Sequence, residues 1–471
     1  MEQEMLVLSG IDALTGDYLV PPLPLEQVAR AVEARLRDSR HPEQDSGQFR
    51  ALPYDIKATD VRRAGWGIVF PVGTPALVRQ ALQPLIAHRE KQVEAGCFHV
   101  LDYLPRETVE EWLVRHDMSA GDVIPSLLPY YLLLVGAPTE IPFDFQYVLS
   151  AQYAVGRLCF ESADGYARYA RSVIDYETAS SVPTKKQVTW WGPRHPGDKA
   201  TELSADYLLT PLAEGMAAQG KAAAEPPVAR AHGYGGVPFI GEAGTRAHLA
   251  EVLHGRGEHR PTLLFTASHG VGMRPGHALQ RGVQGSLLCQ EWTGPGSIHG
   301  THSLGAADIA DDARLHGLVA FFFACFSAGT PQKEEFAFLP EKVPACLSPQ
   351  PFVAALPQRL LSHPNGSALA VLGHVERTWS CSIRPPRVGP RLHPFRNCIG
   401  RILSGEPVGH AVRDFRDRFL TASLLQRELL GQQKPAGLSL ELLFRYFEAN
   451  DARNYVVLGD PAVQVRAGLL S

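Results

Sequence analysis

From Gly65 onward, patterns typical of buried strands alternate with patterns typical of amphipathic helices. The first strand pattern covers 66–71, a helical pattern follows at 74–94, and further strand patterns occupy 97–103 and 130–136. Strands that alternate with helices in this way are joined by crossover connections, which link parallel strands. The sequence therefore predicts an α/β fold with a mostly parallel sheet that is covered by helices.

A second series of the same kind begins near residue 187. Its strand patterns are separated by helical patterns and lie at 188–191, 262–267, 318–324, 367–373 and 455–458. A glycine- and alanine-rich stretch at 221–244 is predicted to be a loop. We therefore expect two adjacent α/β subdomains, at 65–185 and 186–471. Residues 1–64 are rich in proline and charge, with one helical pattern at 25–36, and are predicted to form a leader or cover segment.

Charge and cysteine content argue against several classes of function. The 471 residues include 45 lysines and arginines and 49 aspartates and glutamates, a net charge of −4, so there is no basic excess to bind nucleic acid. The seven cysteines form no CxxC pair, which argues against a disulfide framework and favours a reducing compartment. The acidic start Met1-Glu-Gln-Glu lacks the features of a secretion signal, and the apolar runs are too short to span a bilayer. We expect a cytoplasmic protein that binds neither nucleic acid nor membrane.

Two strand patterns run directly into reactive side chains. The strand at 262–267 leads to His269 and Gly270, and the strand at 318–324 leads to Cys325. Ligands of a parallel sheet bind outside the carboxyl ends of its strands, so His269 and Cys325 would face one crevice if these strands are neighbours. An imidazole favours the thiolate of a nearby cysteine and can protonate a leaving amine. The pair predicts a cysteine nucleophile with a general acid/base, and the Gly270 backbone N–H is a candidate donor to the oxyanion.

Other chemistries have weaker support in the sequence. The residues that could form a metal cluster in a hydrolase are His277, His299, His302, Asp311 and Asp312. Their spacing matches no zinc pattern, and glycine-rich loops often carry solvated histidines. The chain contains neither a GxSxG nucleophile elbow nor a GxxxxGK[ST] phosphate loop. We therefore predict no metal and no cofactor.

Several short motifs follow one another in a specific order along the chain. They are Tyr131-Leu-Leu-Leu-Val-Gly136, Glu140-Ile-Pro142, Val155-Gly-Arg-Leu158, Glu161-Ser162, Ile174-Asp-Tyr-Glu177, Ser268-His-Gly270, Ala324-Cys325, Asn365-Gly366, the strand to Trp379, and Gly459-Asp460-Pro461-Ala462. In this order they resemble the gingipain-like cysteine peptidases of the caspase-like group, clan CD. The resemblance covers residues 65–466, and the ordered set is far more specific than any one of its members.

The resemblance implies a caspase-like three-layer α/β/α sandwich and gives roles to individual residues. Cys325 would be the nucleophile and His269 the general acid/base, while Glu140 would orient the imidazole and stabilise its cationic form. Glu140 is equally compatible with a capping carboxylate in the turn before Pro142. Trp379 would line the pocket for the side chain before the cut, or would be a core aromatic at a strand end.

Two features depart from the family pattern. In the arginine-cutting members an aspartate lies in a longer loop before the Gly-Arg motif. Here Asp144 is the only carboxylate in that interval and lies close to Glu140, so Asp144 is a candidate pocket residue but specificity for arginine does not follow. The insertion at 274–310 is longer than the family pattern and could form a lid, a self-cleaved loop or a partner site.

The predicted function is that of an intracellular cysteine endopeptidase that uses the Cys325–His269 dyad and a thioester acyl-enzyme. We expect it to cut one or a few protein or peptide substrates, as caspase-like peptidases of bacterial defence or regulatory systems do. A regulatory partner, or self-inhibition by the leader or the insertion, is expected to hold such an enzyme inactive. The alternative is a catalytically silent caspase-like scaffold that binds a partner peptide in the same cleft.

Overall fold

The computed structural model describes most of the chain. The described residues are 5–24, 27–28, 52–218, 223–256, 259–296, 298–334, 346–379, 383–384, 391–431 and 440–470. The helical pattern predicted at 25–36 lies almost wholly outside them.

Ten strands form one continuous sheet. In chain order they are β1 (Trp66–Pro71), β2 (Phe98–Tyr103), β3 (Tyr131–Val135), β4 (Ala154–Leu158), β5 (Lys185–Gly192), β6 (Gly235–Ile240), β7 (Pro261–Ala267), β8 (Val319–Phe323), β9 (Ala370–His374) and β10 (Tyr455–Gly459). Across the sheet they follow the order β6-β5-β7-β8-β9-β10-β4-β3-β1-β2. The short antiparallel pairs outside it include Leu287–Leu288 with Ser303–Leu304 and Gly329–Thr330 with Phe352–Val353.

Helices connect the strands and pack on the sheet. The α-helices are Val61–Ala64, Ala76–Glu90, Val109–Arg115, Phe143–Ser150, Ala163–Thr178, Lys199–Ser204, Thr210–Glu214, Val228–Ala231, Arg246–His254, Gln280–Val283, Ala355–Leu361, His393–Leu403, Val408–Ala411, Arg413–Gly431 and Leu440–Arg453. A π-helical turn at Ala205–Leu209 and 3-10 turns at Gly241–Ala243, Ala306–Asp308 and Ala467–Leu469 complete the helical segments. Within the described residues, no helix has both the length and the apolar character that crossing a membrane requires.

Both faces of the sheet are covered. Every residue of β1, β3, β8 and β9 is buried. Because successive side chains of a strand point to opposite faces, burial of all of them means that helices pack on both sides. The predicted three-layer α/β sandwich with a mostly parallel sheet is confirmed.

The sheet consists of two parallel halves that run in opposite directions. Strands β1 to β4 are parallel to one another and to β10, while β5 to β9 form a second parallel set. The two sets meet at β9 and β10, which pair antiparallel. The carboxyl ends of β1 to β4 therefore lie at the opposite edge of the sheet from those of β5 to β9. The expected subdomain boundary between 185 and 186 stays a prediction, and β10 joins the first half although it comes from the end of the chain.

Residues 5–24 form a structure that we call the N-terminal hairpin. Met5–Leu6 pairs antiparallel with Leu23–Pro24, and Ile11 forms an antiparallel bridge with Tyr18. The hairpin lies at the carboxyl edge of the second half, where it pairs with short strands at Val271–Gly272 and Thr378–Trp379. Residues 5–24 therefore lie against that edge, while the role of residues 1–64 as a leader or cover segment stays a prediction.

One strand of the sheet lies where the sequence predicts a loop. Strand β6 pairs parallel with β5 along its whole length and forms one edge of the sheet. Its sequence contains Gly235, Gly236 and Pro238, which are typical of loops. An edge strand tolerates proline because one of its sides has no neighbouring strand to receive an N–H.

Candidate active site

The ends of β7 and β8 place His269 beside Cys325. The two strands are parallel neighbours, with Ala267 opposite Phe323 in register, and His269 and Cys325 each follow two residues later. The Ser268 N–H donates to the Phe323 carbonyl oxygen at 3.1 Å, which continues the pairing beyond the strand ends. The sheet register therefore carries both predicted reactive residues to the same point of the carboxyl edge.

Gly270 allows the two strand ends to touch. A Cβ atom at this position would lie 1.8 Å from the Cys325 carbonyl oxygen and 2.9 Å from its backbone nitrogen. Only a glycine permits an approach this close. The contact places the Gly270 backbone next to that of Cys325, while the role of its N–H as an oxyanion donor stays a prediction.

The carboxylate that contacts the histidine is Asp198. His269 Nε2 lies 2.8 Å from Asp198 Oδ2, and both residues are buried. Asp198 follows β5, the other neighbour of β7, and is the N-cap of helix Lys199–Ser204, where it accepts a hydrogen bond from the Thr201 N–H at 3.2 Å. The Thr201 hydroxyl donates to the same oxygen at 2.5 Å. The helix start therefore fixes the carboxylate that holds the imidazole.

The contacts of Asp198 lower the pKa of its carboxyl group. Burial alone would raise the pKa of Asp198, but the charge of His269 and the hydrogen bonds from His269 and Thr201 outweigh it, so that the pKa lies below its ordinary value. Asp198 is therefore an ionised acceptor, and His269 Nε2–H is the donor. His269 Nδ1 is buried and has no hydrogen-bond partner among the described residues, so it is the imidazole nitrogen that Asp198 does not occupy.

Cys325 is completely buried in the structure. Its Sγ accepts a hydrogen bond from the Thr378 N–H at 3.2 Å and lies 3.6 Å from the Thr378 hydroxyl. Burial raises the pKa of the Cys325 thiol to about 12, although the hydrogen bonds from Thr378 act in the opposite direction. In this state the side chain is a protonated thiol at neutral pH.

Two residues with strained backbone lie close to the cysteine. Phe326 has a φ angle of 59° and Glu376 has a φ angle of 73°, values that residues other than glycine rarely adopt. The Phe326 N–H donates to the Glu376 carbonyl oxygen at 2.6 Å, which ties the two strained residues together. Next to them, the buried Arg377 pairs with the buried carboxylates of Glu334 and Glu376. Strained residues of this kind cluster at functional sites.

The structure does not bring Glu140 or Asp144 to His269. The Glu140 carboxylate accepts a hydrogen bond from the Ala137 N–H at 2.8 Å and so closes its own turn. This turn follows β3, whose carboxyl end lies at the opposite edge of the sheet from that of β7. Asp144 is exposed in the first turn of helix Phe143–Ser150. The backbone of Trp379 borders the cleft, but its side chain lies outside the described part of the structure.

Asp198 was not among the residues singled out from the sequence. The available signal was its place after a buried strand and directly before a helical pattern at 200–219. An aspartate there is an ordinary N-cap, and only the order of the strands shows that β5 is a neighbour of β7. The strand neighbours had to be known before this carboxylate could be chosen over Glu140.

The histidines considered for a metal cluster have other partners. The His299 N–H donates to His302 Nδ1 at 3.3 Å, and the Leu279 N–H donates to His277 Nδ1 at 3.2 Å. Asp311 pairs with Arg359 at 2.6 Å. Across the described ranges, no group of three or more His, Cys, Asp or Glu side chains is arranged to hold a metal ion.

Comparison with known proteins yields distant structural matches. No protein family model and no curated protein matches the chain. A structure described as a protease matches with a TM-score of 0.46 and 12% identity over 85% of this chain and 78% of that chain. The Arg-specific cysteine proteinase gingipain R matches with a TM-score of 0.44 and 12% identity over 88% and 81% of the two chains. A complex of the RgpB pro- and mature domains of Porphyromonas gingivalis matches with a TM-score of 0.41 and 12% identity over 86% and 80%.

Proposed function

We propose that the chain is a cysteine endopeptidase in which Cys325 is the nucleophile, His269 the general acid/base and Asp198 the residue that orients the imidazole. The observation that carries the proposal is the hydrogen bond between His269 Nε2 and Asp198 at a strand end that touches the backbone of Cys325. A nucleophile, a base and a group that orients the base are the three parts of a catalytic triad.

The arrangement supports a complete acyl transfer. His269 Nδ1 takes the proton of the Cys325 thiol, and the thiolate attacks the peptide carbonyl carbon, so that a C–S bond forms and an electron pair moves to the carbonyl oxygen. When the C=O bond re-forms, the C–N bond breaks and the imidazolium gives its proton to the leaving amine. Water then hydrolyses the thioester, which releases the carboxyl product and restores the thiol. The negative Asp198 stabilises the imidazolium throughout.

The edges of the cleft favour an extended peptide as the substrate. Short strand edges lie on both sides of Cys325, at Val271–Gly272 and at Thr378–Trp379, and each pairs with an extended segment in the structure. Extended peptides bind proteins by adding a strand to such edges. Pairing on both sides of the nucleophile suits cleavage within a chain rather than at its end.

A cytoplasmic location and a narrow substrate range are part of the proposal. The cysteines of the described residues are free thiols, namely Cys97, Cys159, Cys289, Cys325, Cys346 and Cys398. Reduced cysteines are usual in reducing compartments. We propose that the peptidase acts on few proteins and has a role in a bacterial defence or regulatory system of the caspase-like kind.

The proposal is tested by trapping the nucleophile. The full chain is incubated with a peptide bearing a thiol-reactive ketone, which accumulates on the enzyme irreversibly even when the cleft opens rarely. Intact mass and peptide mapping are expected to show one label, on Cys325. Cys325→Ala should lose the label, and His269→Ala should slow the labelling strongly because the thiolate is no longer formed.

The matched control is Cys346→Ala, which removes an exposed thiol and should label as the unchanged chain does. A label on any other cysteine, or equal labelling of the chain with Cys325→Ala, would contradict the assignment of the nucleophile. Labelling of Cys325 at the same rate with His269→Ala would contradict the role of the histidine.

A further inference from the structure

The N-terminal hairpin fills the cleft on both sides of Cys325. Its strand Leu8–Ser9 pairs antiparallel with Thr378–Trp379, and its strand Ile11–Asp12 pairs parallel with Val271–Gly272. The Ile11 N–H donates to the Gly270 carbonyl oxygen at 3.2 Å. The hairpin thus uses the strand edges that an extended substrate would need.

Gly10 lies between these two pairings, directly on the nucleophile. A Cβ atom at Gly10 would lie 3.4 Å from Cys325 Sγ and 3.0 Å from the side chain of Leu19. Leu19, on the returning arm of the hairpin, in turn covers Gly272, where a Cβ atom would lie 2.3 Å from it. No space for a substrate backbone is left at the thiol.

The hairpin also contacts the other two residues of the site. The Tyr18 hydroxyl donates to Asp198 Oδ1, and the Tyr18 ring packs edge-on against the His269 imidazole with 5.3 Å between ring centres. Cys325, His269 and Asp198 are therefore all contacted by one hairpin.

The insertion at 274–310 holds the hairpin from outside. The Gly296 N–H donates to the Thr15 carbonyl oxygen at 2.6 Å, and the Ile298 N–H donates to the Ala13 carbonyl oxygen at 2.8 Å. Beneath these bonds lies a small apolar cluster formed by Ile11, Ala13, Val271, Met273, Leu288 and Trp292. The insertion and the hairpin therefore share an apolar contact and backbone hydrogen bonds.

We propose that the N-terminal hairpin is a built-in inhibitor that occupies the substrate cleft in the manner of an extended peptide, and that the insertion at 274–310 is the latch that keeps it there. The inference rests on the proposed peptidase function for its meaning as inhibition. Release of the hairpin from the latch exposes Cys325, His269 and both strand edges together.

The hairpin is held as an inhibitor and not as a substrate. The Gly10 carbonyl oxygen accepts a hydrogen bond from the Leu19 N–H of the hairpin itself at 2.8 Å, so that this carbonyl is engaged within the hairpin. The thiol beneath it is buried, and burial raises the pKa of Cys325. Opening would admit water and remove part of that effect.

The test measures how fast Cys325 is alkylated by iodoacetamide in the full chain. Ile11→Asp places a charge in the apolar cluster and should open the hairpin, so that Cys325 reacts about tenfold faster or more, in proportion to the open population. Leu14→Asp is the matched control, because Leu14 belongs to the same hairpin but is 40% exposed; its rate should equal that of the unchanged chain. Alkylation of the exposed Cys346 shows in each sample that the reagent is active. Alkylation of the buried Cys398 would show that the whole protein unfolds.

A second variant opens the latch without placing a charge in the cluster. Gly16 has φ of +65°, and a Cβ atom there would lie 1.8 Å from the Gly296 carbonyl oxygen, so Gly16→Ala should also accelerate alkylation of Cys325. Gly300→Ala, at a glycine with nothing within 4 Å of its Cβ position, should not. A synthetic peptide of residues 5–24, added to the chain with Gly16→Ala, is expected to restore protection.

Cleavage of a proteome-derived peptide library, which covers the residues that a narrow peptidase could prefer, is measured on the same samples. Faster alkylation together with cleavage of library peptides supports both proposals, whereas faster alkylation without cleavage of any library peptide supports occlusion by the hairpin and overturns the peptidase function. If Cys325 reacts at the unchanged rate with Gly16→Ala and Ile11→Asp while Cys398 stays protected, the hairpin is not the barrier and the inference is overturned.

Discussion

The carboxylate of Asp198 has two structural tasks. It caps helix Lys199–Ser204 through the Thr201 N–H and also accepts the hydrogen bond of His269 Nε2. The hydrogen bond from the Thr201 N–H holds the carboxylate in place, because that N–H belongs to the fixed first turn of the helix. An N-cap that also orients a histidine sets the tautomer of the imidazole, because an ionised carboxylate can only accept.

Asp198→Asn is expected to separate these two tasks. Asparagine caps helices as well as aspartate does, so the thermal unfolding midpoint should change little. The amide no longer stabilises the imidazolium and can favour the wrong tautomer, so labelling of Cys325 by the peptide ketone should slow about 100-fold or more. The rate of labelling and the unfolding midpoint are measured on the same sample.

Asp206→Asn provides the control for this prediction. Asp206 lies in the π-helical turn Ala205–Leu209 that follows and forms a partly exposed ion pair with Arg194. Loss of that ion pair should leave the labelling rate of Cys325 unchanged. Equal rates for the unchanged chain and Asp198→Asn would show that the carboxylate does not act through His269.

Cys325 and His269 could be selected from the sequence as candidate nucleophile and base, whereas the carboxylate that contacts His269 could not. Cys325 and His269 each directly follow an apolar strand pattern, and such strands end at a common edge. The resemblance gives the orienting role to Glu140, but the antiparallel pairing of β9 with β10 places the end of β3 at the opposite edge of the sheet from the end of β7. Strand direction in a sheet of two halves is set by contacts between distant segments, which local patterns do not encode.

At the level of elements, a buried arginine joins two helices of the first half to the end of β10. Arg89, on helix Ala76–Glu90, donates to Glu177 at 2.7 Å and to Asp460 at 2.7 Å. Trp66 Nε1–H donates to the other oxygen of Asp460 at 3.0 Å. Glu177 and Asp460 belong to two of the motifs noted in the sequence, and the structure shows one partner common to both. No pattern in the sequence identified Arg89 as that partner.

Arg89→Ala is expected to lower the free energy of unfolding by about 3–5 kcal/mol, because it leaves buried carboxylates without their cation. Burial alone would raise the pKa of Glu177, but the charge of Arg89 and the hydrogen bonds from His88, Arg89 and Gln92 lower it to about 2. A lowered pKa stabilises the fold above the ordinary carboxyl pKa and loses that effect as the pH falls toward the folded value. The difference between the two chains should therefore be largest near neutral pH and shrink in acid.

Urea denaturation at several pH values checks this prediction. Arg62→Ala is the matched control, because the Arg62–Glu94 pair is 64% and 42% exposed and such pairs contribute about 1 kcal/mol or less. A loss from Arg89→Ala no larger than that of the control, or one that grows in acid, would contradict the role of the buried network.

At the scale of the whole molecule, the first half of the sheet depends on the end of the chain. Strand β10 pairs with β4 on one side and with β9 on the other. The main apolar core is one cluster that contains residues of both halves, the first being Ala64 and the last Val465. The two α/β units that the sequence predicts share one sheet, and we expect the first of them to depend on β10 for folding.

Residues 52–185 expressed alone are therefore expected not to fold cooperatively. Without β10, strand β4 would keep an unpaired and apolar edge, which is a site of aggregation rather than a stable surface. Far-UV circular dichroism during urea titration should show a broad change for this fragment and a steep transition for the full chain. A steep transition and dispersed amide resonances for the fragment would contradict the shared sheet and support the predicted boundary at 185.

The hairpin precedes the strands that form the cleft, which has a consequence for the order of synthesis. Residues 5–24 leave the ribosome before β7 and β8 exist, and β10 follows the other nine strands of the sheet, so the hairpin is present before the cleft that it covers. We therefore expect the hairpin to occupy the cleft as soon as the cleft forms. A newly made molecule would then be closed from the outset, and its opening would be a separate step that the cell can regulate.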